Sequence, residues 1–394
     1  MQGKQEFYFA IWEKEWYDNS IAARRTLPPG AIRRERSLED LMEQTKEGRL
    51  VYADLLRAAA LIAVIALHVC GNNWQGLEVR SADWQILNVI DSLTRWCVPA
   101  FVMLSGMFFL DPSRPVTYRS LFRKSLPRLA TAFLFWSFLY ALFTSLLNWR
   151  GGAPDDLWSF FLNFIYGHYH LWFVYMVMGL YLITPILRKF VMGAGRRDIE
   201  YLLLLYFLFT LVVPLFGNSP RLQVISGVVH RLDLKLLGGY IGYFVAGYYL
   251  KTFDFQPKTK KIIYALGLAG LGVTIVCTWI DSMAWDAPNE KWYLYLTPNV
   301  ALTAFALFLF FKEHCQGRSL GPKGVALCSR IAQRSFGVYL VHAFFNNRLV
   351  ALGLDAVAFN PLAAVPLATV LVFAVSYAVV CLVEKIPFAR KYLL

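Results

Sequence analysis

Long apolar runs recur along this chain, separated by short polar stretches. They lie near 52–70, 86–110, 127–148, 169–187, 199–217, 236–250, 262–280, 293–311, 333–350 and 362–384. A helix needs about 20 apolar residues to cross a hydrocarbon core about 30 Å thick. The pattern therefore predicts an all-α polytopic membrane bundle of about ten transmembrane helices. Nothing alternates between polar surface and short buried runs as a soluble chain does. The sixth run is short and rich in Gly and Tyr, and the ninth opens on polar residues; a re-entrant element at either would change the count.

Composition narrows the class. Of 394 residues, 57% are hydrophobic and 16% charged, against about 25% charged in soluble domains. Secreted disulfide scaffolds, disordered regulators and ordinary cytosolic enzymes are excluded. The net charge of +13 would suggest nucleic acid if it lay in one soluble domain, but the basic residues lie between the apolar runs, so no nucleic-acid partner is expected. With the amino terminus in the cytoplasm, 30 of the 39 Lys and Arg fall on the inner side, as the positive-inside bias requires. Both termini are expected to be cytoplasmic. Residues 1–50 lack the apolar core of a signal peptide and form a basic cytoplasmic segment, with Met42 as an alternative start; residues 51–394 form the membrane domain. The six cysteines form no C-x-x-C pair and no cluster with His, so free thiols and no metal site are expected.

Ionisable residues inside a bilayer are expensive and mark function by default. In the first span, Arg57 and His68 are 11 residues apart, about 20° from three full turns, so they share a face about 16.5 Å apart along the axis. Asp54 stands one turn before Arg57 and can pair with it. The plainer alternative is that Arg57 snorkels to the inner interface and His68 bonds a neighbouring helix. In the second span, Asp91 and Arg95 can neutralise each other at i,i+4, and Pro99 breaks the backbone between them and Ser105. The following inner loop gathers Arg114, Arg119, Arg123, Lys124 and Arg128. Such a cluster is usually a topology determinant, but Lys124 and Arg128 at i,i+4 can also form a phosphate-binding pair. His168, His170 and Trp172 fall at the outer interface, where an aromatic belt is ordinary. Tyr339 and His342 lie one turn apart near mid-membrane, where an interhelical hydrogen bond is the plainer reading. Gly238 and Gly242 form a small-xxx-small pair suited to close helix packing.

Five segments carry a resemblance in order: the Arg-x10-His first span, "VPAFVMLSG", the basic start of the third span, "HLWFVYMVMGLYLITP" and "SFGVYLVH". Together they resemble the acyltransferase-3 family of integral membrane acyltransferases, over roughly residues 52–350, and look closest to its enterobacterial common antigen O-acetyltransferase type. The resemblance implies a multi-pass enzyme of the bacterial inner (plasma) membrane. Its expected substrates are acetyl-CoA, or another acyl-CoA, on the cytoplasmic side and a hydroxyl of an envelope glycan or lipid-linked sugar. By the same resemblance His68 is the essential histidine, Arg57 its paired arginine, and Arg128 a donor-binding cation with Lys124 or Arg123 as its companion. By the same resemblance, the appended extracytoplasmic domain of some members is not expected here.

This chemistry suits the residues. Coenzyme A is a polyanion whose phosphates need cations while its thin pantetheine arm threads inward, and a histidine can take the proton of an attacking hydroxyl. Either His68 carries the acyl group itself or it only activates the acceptor. Arg95, Ser105, Trp172, Tyr339 and His342 are expected around the cavity, orienting or binding the acceptor. The rival from another class is a transporter or exporter of a small molecule or polysaccharide, against which the lack of an internal repeat counts mildly. A non-catalytic partner in glycan assembly would leave the phased Arg and His unexplained.

Overall fold

A computed structural model describes residues 50–218, 231, 238–315 and 320–394, so almost all of the basic 1–50 segment lies outside the described residues. The helices are α1 (Val51–Trp74), α2 (Ala82–Ser92), α3 (Cys97–Phe109), α4 (Leu126–Arg150), α5 (Leu157–Tyr166), α6 (Trp172–Gly193) and α7 (Arg196–Tyr206). After these come α8 (Ile241–Thr252), α9 (Pro257–Trp285), α10 (Pro298–His314), α11 (Gly321–Ala351), α12 (Pro361–Val383) and α13 (Pro387–Tyr392). Among the described residues eight segments are long and apolar enough to cross a membrane. They are Val51–Trp74, Ala82–Phe109, Tyr118–Arg150, Leu157–Gly193, Arg196–Phe216, Pro257–Trp285, Lys291–His314 and Pro361–Val383. The chain is an all-α polytopic membrane bundle.

The sixth and ninth expected spans fall outside this group of eight, for different reasons. Helix α8 has only 12 residues, and the expected span's first residues, 236 and 237, are not described. Helix α11 is 31 residues long but carries Arg330, Gln333, Arg334, His342, Asn346, Asn347 and Arg348. It turns Ser335, His342 and Asn346 into the bundle, where Ser335 donates to the Ala332 carbonyl and Asn346 to the His68 carbonyl.

Helix α1 is the central post, packed against α3, α11 and α12. Its small residues Ala53, Ala60 and Ala63 and its branched Leu56, Leu61 and Ile65 are all buried, the composition that lets membrane helices approach closely. The closest approach is between α3 and α8. A Cβ at Gly106 would lie 1.8 Å from the Phe244 carbonyl oxygen, and one at Gly247 would lie 1.9 Å from that of Met103. These two glycines, rather than the Gly238/Gly242 pair, bring the backbones together; Gly242 instead makes room for the ring of Tyr206.

The second span breaks earlier than Pro99. Helix α2 ends at Ser92 and α3 begins at Cys97, so Pro99 sits in the first turn of α3, where a missing N–H costs nothing. Helix α5 is an element that counting long apolar runs passes over; Asp156 caps it, accepting from the Ser159 N–H at 2.8 Å.

Two clamps hold the end of the bundle opposite α5. Lys312 Nζ donates to the carbonyls of Leu250 (2.9 Å) and Phe253 (3.1 Å) and to Asp254 Oδ1 (2.9 Å), capping α8 as a cation should. The hydrogen bond from Lys312 draws the Asp254 carboxyl below its ordinary range. Arg188 donates to the carbonyls of Phe109 (2.7 Å), Asp111 (2.9 Å) and Arg114 (3.0 Å), fixing the loop after α3. Burial pushes the Asp111 carboxyl up, but hydrogen bonds from Lys251 and Ser113 outweigh it and hold the group below the usual carboxylate range.

Candidate active site

A cavity of about 380 Å³ runs between α1, α3, α4, α6 and α11, and both Arg57 and His68 border it. At one end it meets His68, His170, Trp172, Tyr295 and Tyr339; at the other, Arg57, Ser125 and Arg128. Apolar side chains such as Val64, Phe101, Phe173 and Val177 wall the length between. The i+11 phase on α1 thus carries an imidazole and a guanidinium to one hollow.

Four imidazoles gather at the first end. The His342 ring lies 5.2 Å from those of both His68 and His170, and the His168 and His170 rings are 5.1 Å apart. The local sequence explains how His168 and His170 reach this place. Gly167 takes φ +76°, a left-handed value that favours glycine, and the chain then enters the 3₁₀ turn Tyr169–Leu171 before α6. A Cβ on Gly167 would also press within 3.0 Å of the Phe133 ring.

This end is tied down from several helices. Tyr339 donates its hydroxyl to the His170 carbonyl, Asn346 donates to the His68 carbonyl at 3.1 Å, and Tyr140 donates to the Leu340 carbonyl at 2.9 Å. His342 Nδ1 lies 2.6 Å from the Tyr339 carbonyl. His170 is 1% exposed and His342 is fully buried, and the Nε2 of each has no hydrogen-bond partner among the described residues. No group of three or more His, Cys, Asp or Glu among the described residues is arranged to hold a metal ion.

The opposite end is looser. Arg57 is half-buried, with its guanidinium 5.9 Å from the Phe108 ring centre, while Asp54 accepts a hydrogen bond from Ser329 at 2.7 Å. Arg128 borders the cavity from the first turn of α4, and its guanidinium donates to the Leu394 backbone oxygen, from Nε at 3.0 Å. Thr131 and Trp136 of the same helix donate to the carbonyls of Tyr392 (3.0 Å) and Leu393 (2.9 Å). Arg123 and Lys124 are exposed on the π-turn Leu121–Ser125 and are not among the bordering residues, although Ser125 is.

Of the second-rank candidates, Ser105, Trp172 and Tyr339 border the cavity. Trp172 stacks on Tyr295 at 5.9 Å, and the Ser105 hydroxyl bonds back to the Phe101 carbonyl at 3.0 Å. His342 stands behind His68. Arg95 lies away from the lining, because the break at 93–96 turns it onto Asp91 in an ion pair and over the Tyr293 ring at 4.0 Å. Sequence reasoning left His168 and His170 in an interfacial belt and passed over Tyr295, Ser125 and Gln333 as cavity residues. The one signal for the histidines was their i,i+2 spacing directly after a glycine.

A family model described as Acyltransferase domain, Acyl_transf_3, matches residues 50–381. The match covers far more than half of the chain, which belongs to this family and is a membrane acyltransferase. No curated protein and no solved structure matches it.

Proposed function

We propose that this protein is an O-acyltransferase that moves an acetyl group from cytoplasmic acetyl-CoA to a hydroxyl of an envelope glycan or lipid-linked sugar at the bacterial inner membrane. The observation that carries the reading is the single cavity bordered by His68 at one end and by Arg57 and Arg128 at the other. Its volume falls within the range of small-molecule sites.

In this reading the phosphates of coenzyme A stay at the Arg57 and Arg128 end, where guanidinium forks match phosphate oxygens. Arg123 and Lys124 add positive potential outside the mouth. The acyl-bearing pantetheine arm lies along the apolar walls and presents its thioester carbon near His68. The His68 imidazole takes the acceptor's hydroxyl proton as the oxygen attacks that carbon, and the departing thiolate collects the proton. Binding two reactants in one hollow also removes the entropic cost of their encounter.

Membrane vesicles from cells with and without the gene, supplied with acetyl-CoA labelled in the acetyl group, test the reading. Label is expected in base-labile esters of lipid-linked or glycan material only when the gene is present. The envelope glycan should differ by the mass of one acetyl group. Equal ester labelling in both vesicle types would overturn it.

A further inference from the structure

The stretch that follows α13 runs alongside α4, and two α4 side chains hydrogen bond its backbone. Trp136 donates its indole N–H, which can only donate, to the Leu393 carbonyl at 2.9 Å. Arg128 donates to the Leu394 backbone oxygen from Nε at 3.0 Å and also from Nη2. Leu393 is 8% exposed and Leu394 6%. The Leu394 side chain reaches α11, where Gly337 makes room for it: a Cβ there would lie 3.0 Å from Leu394 Cδ2. Residues 393 and 394 thus join α4 to α11, the two helices that supply Arg128, Leu129, Gln333 and Phe336 to the cavity.

A guanidinium is a planar fork whose five N–H donors have fixed directions. Bonding through Nε and Nη2 commits its side edge. The Nη1–Nη2 edge remains for a second bidentate contact, the geometry that phosphate oxygens match. Arg128 borders the cavity whereas Leu393 and Leu394 do not, so the backbone contact lies outside the hollow and does not occupy the donor's place. Arg128 is otherwise an exposed side chain. A loose arginine has much rotamer freedom, and ordering such a side chain when a ligand arrives costs affinity. Here the Leu394 oxygen restricts it beforehand.

We propose that Leu394 is a positioning residue for the acyl donor: its backbone oxygen, anchored by Trp136 through Leu393, holds Arg128 by one edge and leaves the other for a phosphate of acetyl-CoA. The inference rests on the acyl-transfer reading. Leu394 acts on donor binding and takes no part in moving the acetyl group, so its mark falls on KM for acetyl-CoA and not on kcat.

Label transfer from acetyl-labelled acetyl-CoA in membrane vesicles tests this. The unaltered chain is compared with a chain lacking Leu393 and Leu394, with Trp136→Phe, and with each change combined with Arg128→Gln. Ordering one rotamer-rich side chain costs about 2- to 12-fold in affinity, so loss of the two residues should raise KM for acetyl-CoA by that factor at unchanged kcat. Trp136→Phe removes only the N–H tether and should raise KM less. In the Arg128→Gln background both changes should add little, because the guanidinium they orient is gone. A merely structural role would act equally in both backgrounds. Should the shortened chain fail to accumulate, Trp136→Phe with and without Arg128→Gln makes the same comparison. No transfer by the unaltered protein overturns the acyl-transfer reading and this inference with it. Transfer by the unaltered protein, with KM unchanged or lowered in the altered chains, or raised by the same factor in the Arg128→Gln background, overturns this inference alone.

Discussion

At the His68 end of the cavity, imidazoles and tyrosines from α1, α4, residues 168–170 and α11 are packed against one another and joined by hydrogen bonds. At the Arg57 end the cations are half-buried or exposed and are presented by two helix ends and a π-turn. The difference matches what each end would handle. Chemistry at a carbonyl gains most from fixed dipoles in a dry site, whereas a polyanionic donor arriving from water needs cations that remain hydrated until it binds and can follow its phosphates.

The sharpest way to break this comparison is His68→Ala, which should lower kcat by about 10²–10⁴-fold, the usual range for general-base help, while leaving affinity for acetyl-CoA intact. Label transfer in vesicles measures the first and binding to purified protein the second. At the other end, Arg57→Gln and Arg128→Gln should act mainly on KM for acetyl-CoA. A hydrogen bond to a charged group is worth about 1.5–3 kcal/mol, so a rise of roughly tenfold or more is expected in each. Comparing dephospho-CoA with CoA as competitors would show which phosphate each arginine meets.

Neutralising Arg123 and Lys124 together should have a smaller effect. As exposed charges they contribute about 1 kcal/mol or less each, and the rise in KM they cause should fade at high salt, where charge interactions are screened. The smallest effect concerns pH. The Asp111 carboxyl is held below its ordinary range, so the stability it contributes is fully present above its unfolded pKa of about 3.9. That contribution is lost as pH falls through the lower folded value. Hydrogen exchange on acidification should quicken in residues 110–117 before it does in residues 167–172.

What could be read from the sequence follows the reach of local rules. Arg57 and His68 were legible together because a helix converts spacing into phase over any number of turns. The apolar runs likewise gave the bundle its class. Residues 167–172 were not legible as part of a site, because their place depends on a left-handed glycine and a 3₁₀ turn that fold an interface-like stretch inward. The break before α3 was misplaced because proline suits a first turn as well as it disrupts a middle one. Arg95 illustrates the same limit: its i,i+4 partner was visible, but which side of the bent span it would take was not. The short α8 shows that an apolar run does not set helix length, since its closeness to α3 rests on glycines 141 residues apart in the chain.

The most direct test of the account is a paired measurement on His68→Ala protein in lipid nanodiscs and in vesicles. The account predicts coenzyme A binding at the unaltered affinity together with loss of acetyl transfer to ester-linked product. Transfer at the unaltered rate, or a folded variant that no longer binds coenzyme A, would contradict the division of labour between the two ends.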